Sequence, residues 1–239
     1  MSSPPPEPYP GPRPPRDLRR DLPTMVASLG FLAVAGTHLA AHAVDADALR
    51  QGTQWLLMPA LAAFLAVAGR PVRDRLQRLV LLALGFSWLG DLLPALVPDA
   101  AAFLVMVGCF LLAQVTYVVA FAPYVHGGLG RHPWAAIPYV LVLAVMLSLV
   151  LPGAGSMTVP LIVYGVVLVA MAVLALGVDR ATAVGAAIFL VSDALIAVDR
   201  FVAGYDFAHQ GVTVMATYIL GQGLIALGVM LHVRRVPVD

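Results

Sequence analysis

Eight apolar stretches follow one another through this chain, each close to the length that crosses a bilayer. They fall near residues 25–42, 53–69, 78–97, 100–122, 134–151, 158–177, 182–203 and 212–232. A helix needs about 20 apolar residues to span the hydrocarbon core, so eight spans with short loops use nearly all of the 239 residues. Proline, glycine and charge mark the breaks, most sharply at Gly69, Arg70 and Pro71 and again at Pro98. The very short break at 98–100 implies an antiparallel hairpin. Hydrophobic residues make up 61% of the chain and charged residues 11%, against about 25% charged in a soluble protein. A soluble domain cannot cover that much apolar surface, which excludes a soluble enzyme and equally a disordered chain. The expected fold is an all-α polytopic membrane protein with eight transmembrane helices.

Residues 1–23 differ from the rest. They are rich in proline and carry Arg13, Arg16, Arg19 and Arg20. Such a segment builds no core, and a disordered cytoplasmic tail is expected. The eight-helix domain then occupies 24–233, and 234–239 form a second short tail. A cleaved leader ending near 41–43 fits poorly, because its leading region is too long and too rich in proline.

All 14 basic residues are Arg. With the N-terminus in the cytoplasm, 12 fall on the inner side and only Arg50 and Arg200 on the outer side. This positive-inside bias predicts an even number of spans, with both termini on the cytoplasmic face of the cell's inner membrane. The net charge of +1 offers no polybasic surface for nucleic acid. Cys109 stands alone, which excludes an intrachain disulfide and a cysteine metal cluster. The absence of Lys excludes a lysine nucleophile or Schiff base.

Ionisable groups inside spans are the functional signal, since a central Asp costs about 2.5–3.5 kcal/mol to insert. Asp91 and Asp193 stand out. At about 1.5 Å per residue they lie roughly 20 and 17 Å from the inner ends of spans 3 and 7, at similar depth. Helical spacing gathers polar partners at that level: Ser87 one turn before Asp91, Gln114 with Tyr117, Tyr218 with Gln222, and Ser192 beside Asp193. Arg200 lies two turns outward of Asp193 on the same face. The bland reading is also open, with both carboxyls bonding between helices, Arg200 an interface anchor, and the amides and phenols ordinary helix–helix ties. His38 and His42 share a face as a metal pair would, but only His209 could join them, so no metal and no cofactor are expected. Phe86, Asp91 and Leu93 are echoed by Phe189, Asp193 and Leu195, and each set is followed one span later by a Gln. That echo predicts two parallel four-helix halves with a site between them.

These pieces in this order resemble the YhhN-like family, which includes the animal lysoplasmalogenases. The residues that carry the resemblance are Trp55 and Pro59; Leu89, Gly90, Asp91 and Leu93; Gly108, Phe110, Gln114, Tyr117 and Phe121; Gly185, Ile188, Phe189, Ser192 and Asp193; and Thr217, Tyr218, Gln222 and Ile225. The resemblance covers about residues 25–232. It implies hydrolysis of the vinyl ether of a lysoplasmalogen, a lysophospholipid, to a fatty aldehyde and a glycerophospho-base. Asp91 and Asp193 are then the catalytic residues, with Tyr218 and Gln222 nearby. Two positions depart from the family pattern: Met58 stands where Lys is usual, and Gln114 where His is usual.

The chemistry fits the residue types. Vinyl ether cleavage protonates the terminal alkenyl carbon, and water adds to the resulting oxocarbenium ion. A proton donor and a base are needed, and no Ser or Cys nucleophile. Two nearby carboxyls titrating jointly, one protonated and one ionised, supply both. Arg200 or Arg50 is expected to meet the lipid phosphate. Other classes stay open at this stage: a small-solute or proton-coupled transporter, a non-catalytic lipid-binding protein, or a metal-dependent lipid hydrolase.

Overall fold

The computed structural model describes residues 18–69, 72 and 74–235. Eight helices account for most of them: α1 (Leu18–Ala43), α2 (Asp47–Ala68), α3 (Arg75–Leu92), α4 (Asp99–Phe121), α5 (Ile137–Ala154), α6 (Thr158–Ala175), α7 (Arg180–Phe201) and α8 (Gln210–Arg235). Short 3-10 turns extend α3 over Leu93–Leu96, follow α4, and flank α5. There is no strand among the described residues.

Seven stretches are long and apolar enough to cross a membrane. The longest, Pro133–Ala175, contains both α5 and α6. It folds back on itself at Gly155, whose φ of +50° lies where glycine avoids the Cβ clash of other residues. Beyond this turn the helices run antiparallel: a Cβ on Gly165 would stand 2.8 Å from Leu143 Cδ1 and 4.0 Å from Leu147 Cδ2.

Several boundaries differ from the sequence reading: α8 runs to Arg235, into the stretch expected to be a second tail, and two helix starts move furthest. Helix α1 begins at Leu18, inside the stretch expected to be tail. Leu and Arg are good helix formers, and the helix runs on through Pro23 although that residue lies past the first turn, where proline is best tolerated. Residues 1–17, which hold most of the expected tail, lie outside the described residues. Helix α2 begins at Asp47 rather than near 53, with its acidic first residue complementing the helix dipole.

Contacts at the two ends fix an up-and-down order. At one end Arg234 Nε donates to Ala68 O at 2.8 Å, which satisfies a carbonyl left free where α2 stops. His232 Nδ1 meets Val178 O at 3.0 Å, Arg235 pairs with Asp179 at 2.9 Å, and Gly128 packs on the backbone at Gly177. Asp74 caps α3 through Gln77 N, and Gln77 Nε2 donates to Leu65 O at 2.9 Å. At the opposite end Gly153 lies against Phe201 O, and Gly211 beside the His42 ring.

The packing is inverted relative to a soluble protein. His38, Gln77, Ser87, Gln114, Thr182 and Gln222 are fully buried, whereas Leu29, Leu32, Val140, Val145, Val159 and Val166 face outward. An apolar exterior suits hydrocarbon as solvent, and buried polar groups then find partners only within the bundle. Helices α7 and α8 pack most extensively, because glycines let their backbones meet. A Cβ on Gly185 would lie 2.6 Å from Gly221 O, and one on Gly228 would lie 2.4 Å from Thr182 N.

Candidate functional site

Asp91 sits on the last turns of α3, 9% exposed. Tyr218 on α8 donates its hydroxyl to Asp91 Oδ2 at 2.9 Å, and Gln54 on α2 approaches the same carboxyl. One turn along α8, Gln222 Oε1 accepts from the Tyr117 hydroxyl at 2.6 Å. Gln222 Nε2 donates to Ser87 Oγ at 3.3 Å. Thus Ser87, Asp91, Tyr117, Tyr218 and Gln222 form one polar cluster across α3, α4 and α8. Helical spacing places Ser87 and Asp91 on one face, and Tyr218 and Gln222 on one face. The packing of α8 against α3 brings the two faces together.

Asp193 on α7 is half-buried and has a different partner. Tyr164 on α6 donates to Asp193 Oδ2 at 2.5 Å. Both residues line an open cleft between α4, α5, α6 and α7, and among the described residues they are its only polar side chains. The remaining wall is apolar, including Phe103, Phe110, Leu143, Met146, Leu161 and Leu190. Gln114 on α4 lies near the Tyr164 hydroxyl. It is fully buried, yet among the described residues neither its amide nitrogen nor its amide oxygen has a hydrogen-bond partner.

Among the described residues no hydrogen bond joins the two carboxyls. Asp91 lies in a packed polar cluster and Asp193 on the wall of a cleft, and Phe110 touches both surroundings. The Phe110 ring lines the cleft and meets the Tyr218 ring edge-on, centroids 5.8 Å apart. It also packs on Gly90, where a Cβ would come within 2.9 Å of it. Tyr218 lies within electrostatic reach of both carboxyls. The separation arises because Asp91 faces α8 whereas Asp193 faces α6.

The other expected site residues take structural positions. Ser192 donates to Val214 O at 2.9 Å and ties α7 to α8. Arg200 is exposed, its guanidinium carbon 5.2 Å from the Phe103 ring centroid, a cation–π contact at the outer end of the cleft. Arg50 pairs with Asp47. His38 and His42 stack edge to face at 4.8 Å, and His38 Nδ1 meets Thr53 Oγ1 at 2.8 Å. Thr53 spends its proton on Leu49 O, so His38 Nδ1 is the donor. Among the described residues no group of three or more His, Cys, Asp or Glu is arranged to hold a metal ion. Met58 is fully buried in the apolar core.

Sequence reasoning missed Tyr164 and Gln54, and placed Phe110 in the family motif without a role at the site. Tyr164 had a readable signal, being the only hydrogen-bonding side chain within the middle of its span. Gln54 and Phe110 had none, because an amide near a helix start and a Phe in an apolar span are both ordinary.

An all-helical bundle with an apolar exterior and two carboxyls inside, each held by a tyrosine, defines a polytopic membrane protein with an intramembrane polar site. The profile of the YhhN family matches residues 49–229, and the chain belongs to that family. The match contains both carboxyls and each of their partners. No curated protein matches the chain, and no solved structure does.

Proposed function

We propose that this protein is an intramembrane hydrolase that cleaves the vinyl ether of a lysoplasmalogen. The observation that carries the reading is the Asp193–Tyr164 pair, standing alone on the wall of an otherwise apolar cleft. Such a site accepts a lipid chain and presents one acid–base group to it.

Asp193 protonates the terminal alkenyl carbon, and the ether oxygen stabilises the adjacent cation as an oxocarbenium ion. The Asp193 carboxylate left behind lies beside that charge and stabilises it. Water adds to the cationic carbon and gives up a proton to the second carboxylate, Asp91, reached past the Phe110 ring. The hemiacetal then collapses: its hydroxyl gives its proton to the Asp193 carboxylate, its carbon–oxygen bond to glycerol breaks, and protonated Asp91 returns a proton to the leaving glycerol oxygen, which releases a fatty aldehyde and a glycerophospho-base and resets both carboxyls. One water is consumed, and no metal or organic cofactor takes part. Gln114 belongs to the same site through its unpaired amide beside Tyr164.

In this reading all eight helices cross the inner membrane with both termini in the cytoplasm. The Arg distribution supports that orientation.

The test is aldehyde release from lysoplasmalogen by the purified protein in detergent. Asp193→Asn and Asp91→Asn are each expected to lose about 10²–10⁴-fold of the rate. Full aldehyde release by either variant removes that residue from the mechanism. Steady turnover without any ion gradient separates a hydrolase from a transporter.

A further inference from the structure

We infer that the end of α1 beside the α1–α2 turn carries a binding site for a transition-metal cation that favours imidazole, with His38 and His42 as nitrogen ligands and Asp45 as an oxygen ligand. The site goes beyond the hydrolase reading and shares no residue with the surroundings of either carboxyl.

His38 carries the argument. It is fully buried, and its Nε2 has no hydrogen-bond partner among the described residues. Its Nδ1 donates to Thr53 Oγ1 at 2.8 Å, and the Thr53 proton goes to Leu49 O at 2.6 Å. Nε2 is therefore the nitrogen with the lone pair. A buried acceptor with nothing to accept costs free energy. A metal-bound imidazole has this same arrangement, with one nitrogen on the ion and the other held as an N–H by a fixed acceptor.

His42 lies four residues on, so the two rings share one face of α1. Their centroids are 4.8 Å apart. With a Zn–N bond of about 2.1 Å each ring centre stands about 3.2 Å from the ion, and two rings at the tetrahedral angle have centres about 5.2 Å apart. The pair is therefore already near the spacing that one shared ion requires. Glycine at 211 leaves room beside the second ring, since a Cβ there would lie 3.2 Å from His42 Nδ1.

Asp45 supplies the third ligand. Helix α1 ends with Ala46 N bonded back to Ala41 O at 3.0 Å, as in a Schellman turn, whose left-handed position usually holds glycine. Here that position holds Asp45, with φ of +52°, and its carboxyl is within electrostatic reach of His42. Arg50 lies near both rings and opposes a cation, but it is paired with Asp47. Among the described residues no three such groups already converge on one point. The buried His38 ring is the fixed ligand, and half-buried His42 and exposed Asp45 turn onto the ion.

The experiment uses the full chain in detergent, purified on a tag without histidine and stripped with EDTA, and titrates Zn²⁺ by calorimetry. A single saturable Zn²⁺ site per chain is expected, with Cu²⁺ tighter and Mn²⁺ weaker and no competition from excess Mg²⁺. X-ray absorption of the zinc-loaded protein shows a pair of imidazoles on the metal. His42→Ala weakens Zn²⁺ by about tenfold or more, the scale on which losing even an outer partner weakens a metal site. Asp45→Gly weakens it several-fold, while the metal-free melting midpoint stays level or rises because glycine is at ease at that φ. This separates loss of a ligand from loss of fold. His38→Gln abolishes binding where it folds, and His42→Ala decides where it does not. Replacing the exposed His126, His132 and His209 by Ala leaves the affinity unchanged. No saturable binding at millimolar Zn²⁺, wild-type affinity in His42→Ala, or loss only with the exposed histidines overturns the site. Wild-type affinity in Asp45→Gly overturns the carboxylate as a ligand, and competition by Mg²⁺ overturns the preference for imidazole-binding metals. None of these measurements needs turnover, so they stand whether or not the protein releases aldehyde.

Discussion

Tyr218 and Asp91 are 127 residues apart in sequence and 2.9 Å apart in space, whereas Asp193 takes its hydrogen bond from Tyr164, 29 residues away, at 2.5 Å. Each carboxyl therefore has its own phenol. If both phenols orient a working carboxyl, Tyr164→Phe and Tyr218→Phe each lower the rate of aldehyde release about tenfold or more, equivalent to about 1.4 kcal/mol of barrier. Tyr164→Phe is expected to be the more damaging, since that pair lies in the cleft. Rates measured on folded variants check this, and equal wild-type rates for both would reduce the tyrosines to packing.

Phe110 and Gly90 form a second coupled pair. A methyl group at residue 90 pushes the Phe110 ring away from its seat and into the cleft. Gly90→Ala is expected to destabilise the protein by about 1–3 kcal/mol and to slow turnover. The same change in a Phe110→Ala background costs much less, a coupling of about 0.5–3 kcal/mol. Thermal unfolding midpoints of the four proteins complete the cycle, and strict additivity would show that the ring and the glycine do not constrain each other.

Gln114 offers a sharp contrast between structural and functional roles. A buried amide with no partner lowers stability, so Gln114→Leu is expected to leave the melting midpoint unchanged or raised. If the amide serves the reaction beside Tyr164, the same variant loses about tenfold or more in aldehyde release. A variant that is stabler and fully active would leave the amide without a role in turnover.

At the α7–α8 contact, Gly228→Ala places a Cβ against Thr182, whose backbone nitrogen leaves no space at 2.4 Å. A loss of about 1–3 kcal/mol is expected, read as a lower midpoint in detergent. Thr182→Ala does not rescue it, because the obstacle is backbone.

Orientation is tested through cysteine. Cys109 is the only one in the chain, so Cys109→Ala gives a blank background. Ala208→Cys and Arg131→Cys then sit on exposed loops at opposite ends of the bundle. A membrane-impermeant maleimide is expected to label position 208 in intact cells and position 131 only after permeabilisation. The reverse pattern would place the termini on the outer side.

The helices and their order were legible in the chain. A run of about 20 apolar residues satisfies its own backbone as a helix, and a break rich in Pro, Gly or Arg ends it, so these features are local. The pairing of Ser87 with Asp91 and of Tyr218 with Gln222 was legible for the same reason, since helical spacing dictates which residues share a face. The start of α1 at Leu18 was less so, because Pro23 reads as a breaker, yet the helix continues through it.

What faces each helix was decided only in the folded bundle. Helices α5 and α6 are apolar on every side, so no periodicity announces which face they turn inward, and Tyr164 gave no hint that it would meet Asp193. The glycines that seat α8 on α7 and Phe110 on α3 fix how closely the helices approach, and thereby which phenol each carboxyl meets. Chain-local chemistry specified the parts and which residues share a helix face. Non-local packing of small residues specified their partners, because the distance between helices is set by side chains on both of them at once.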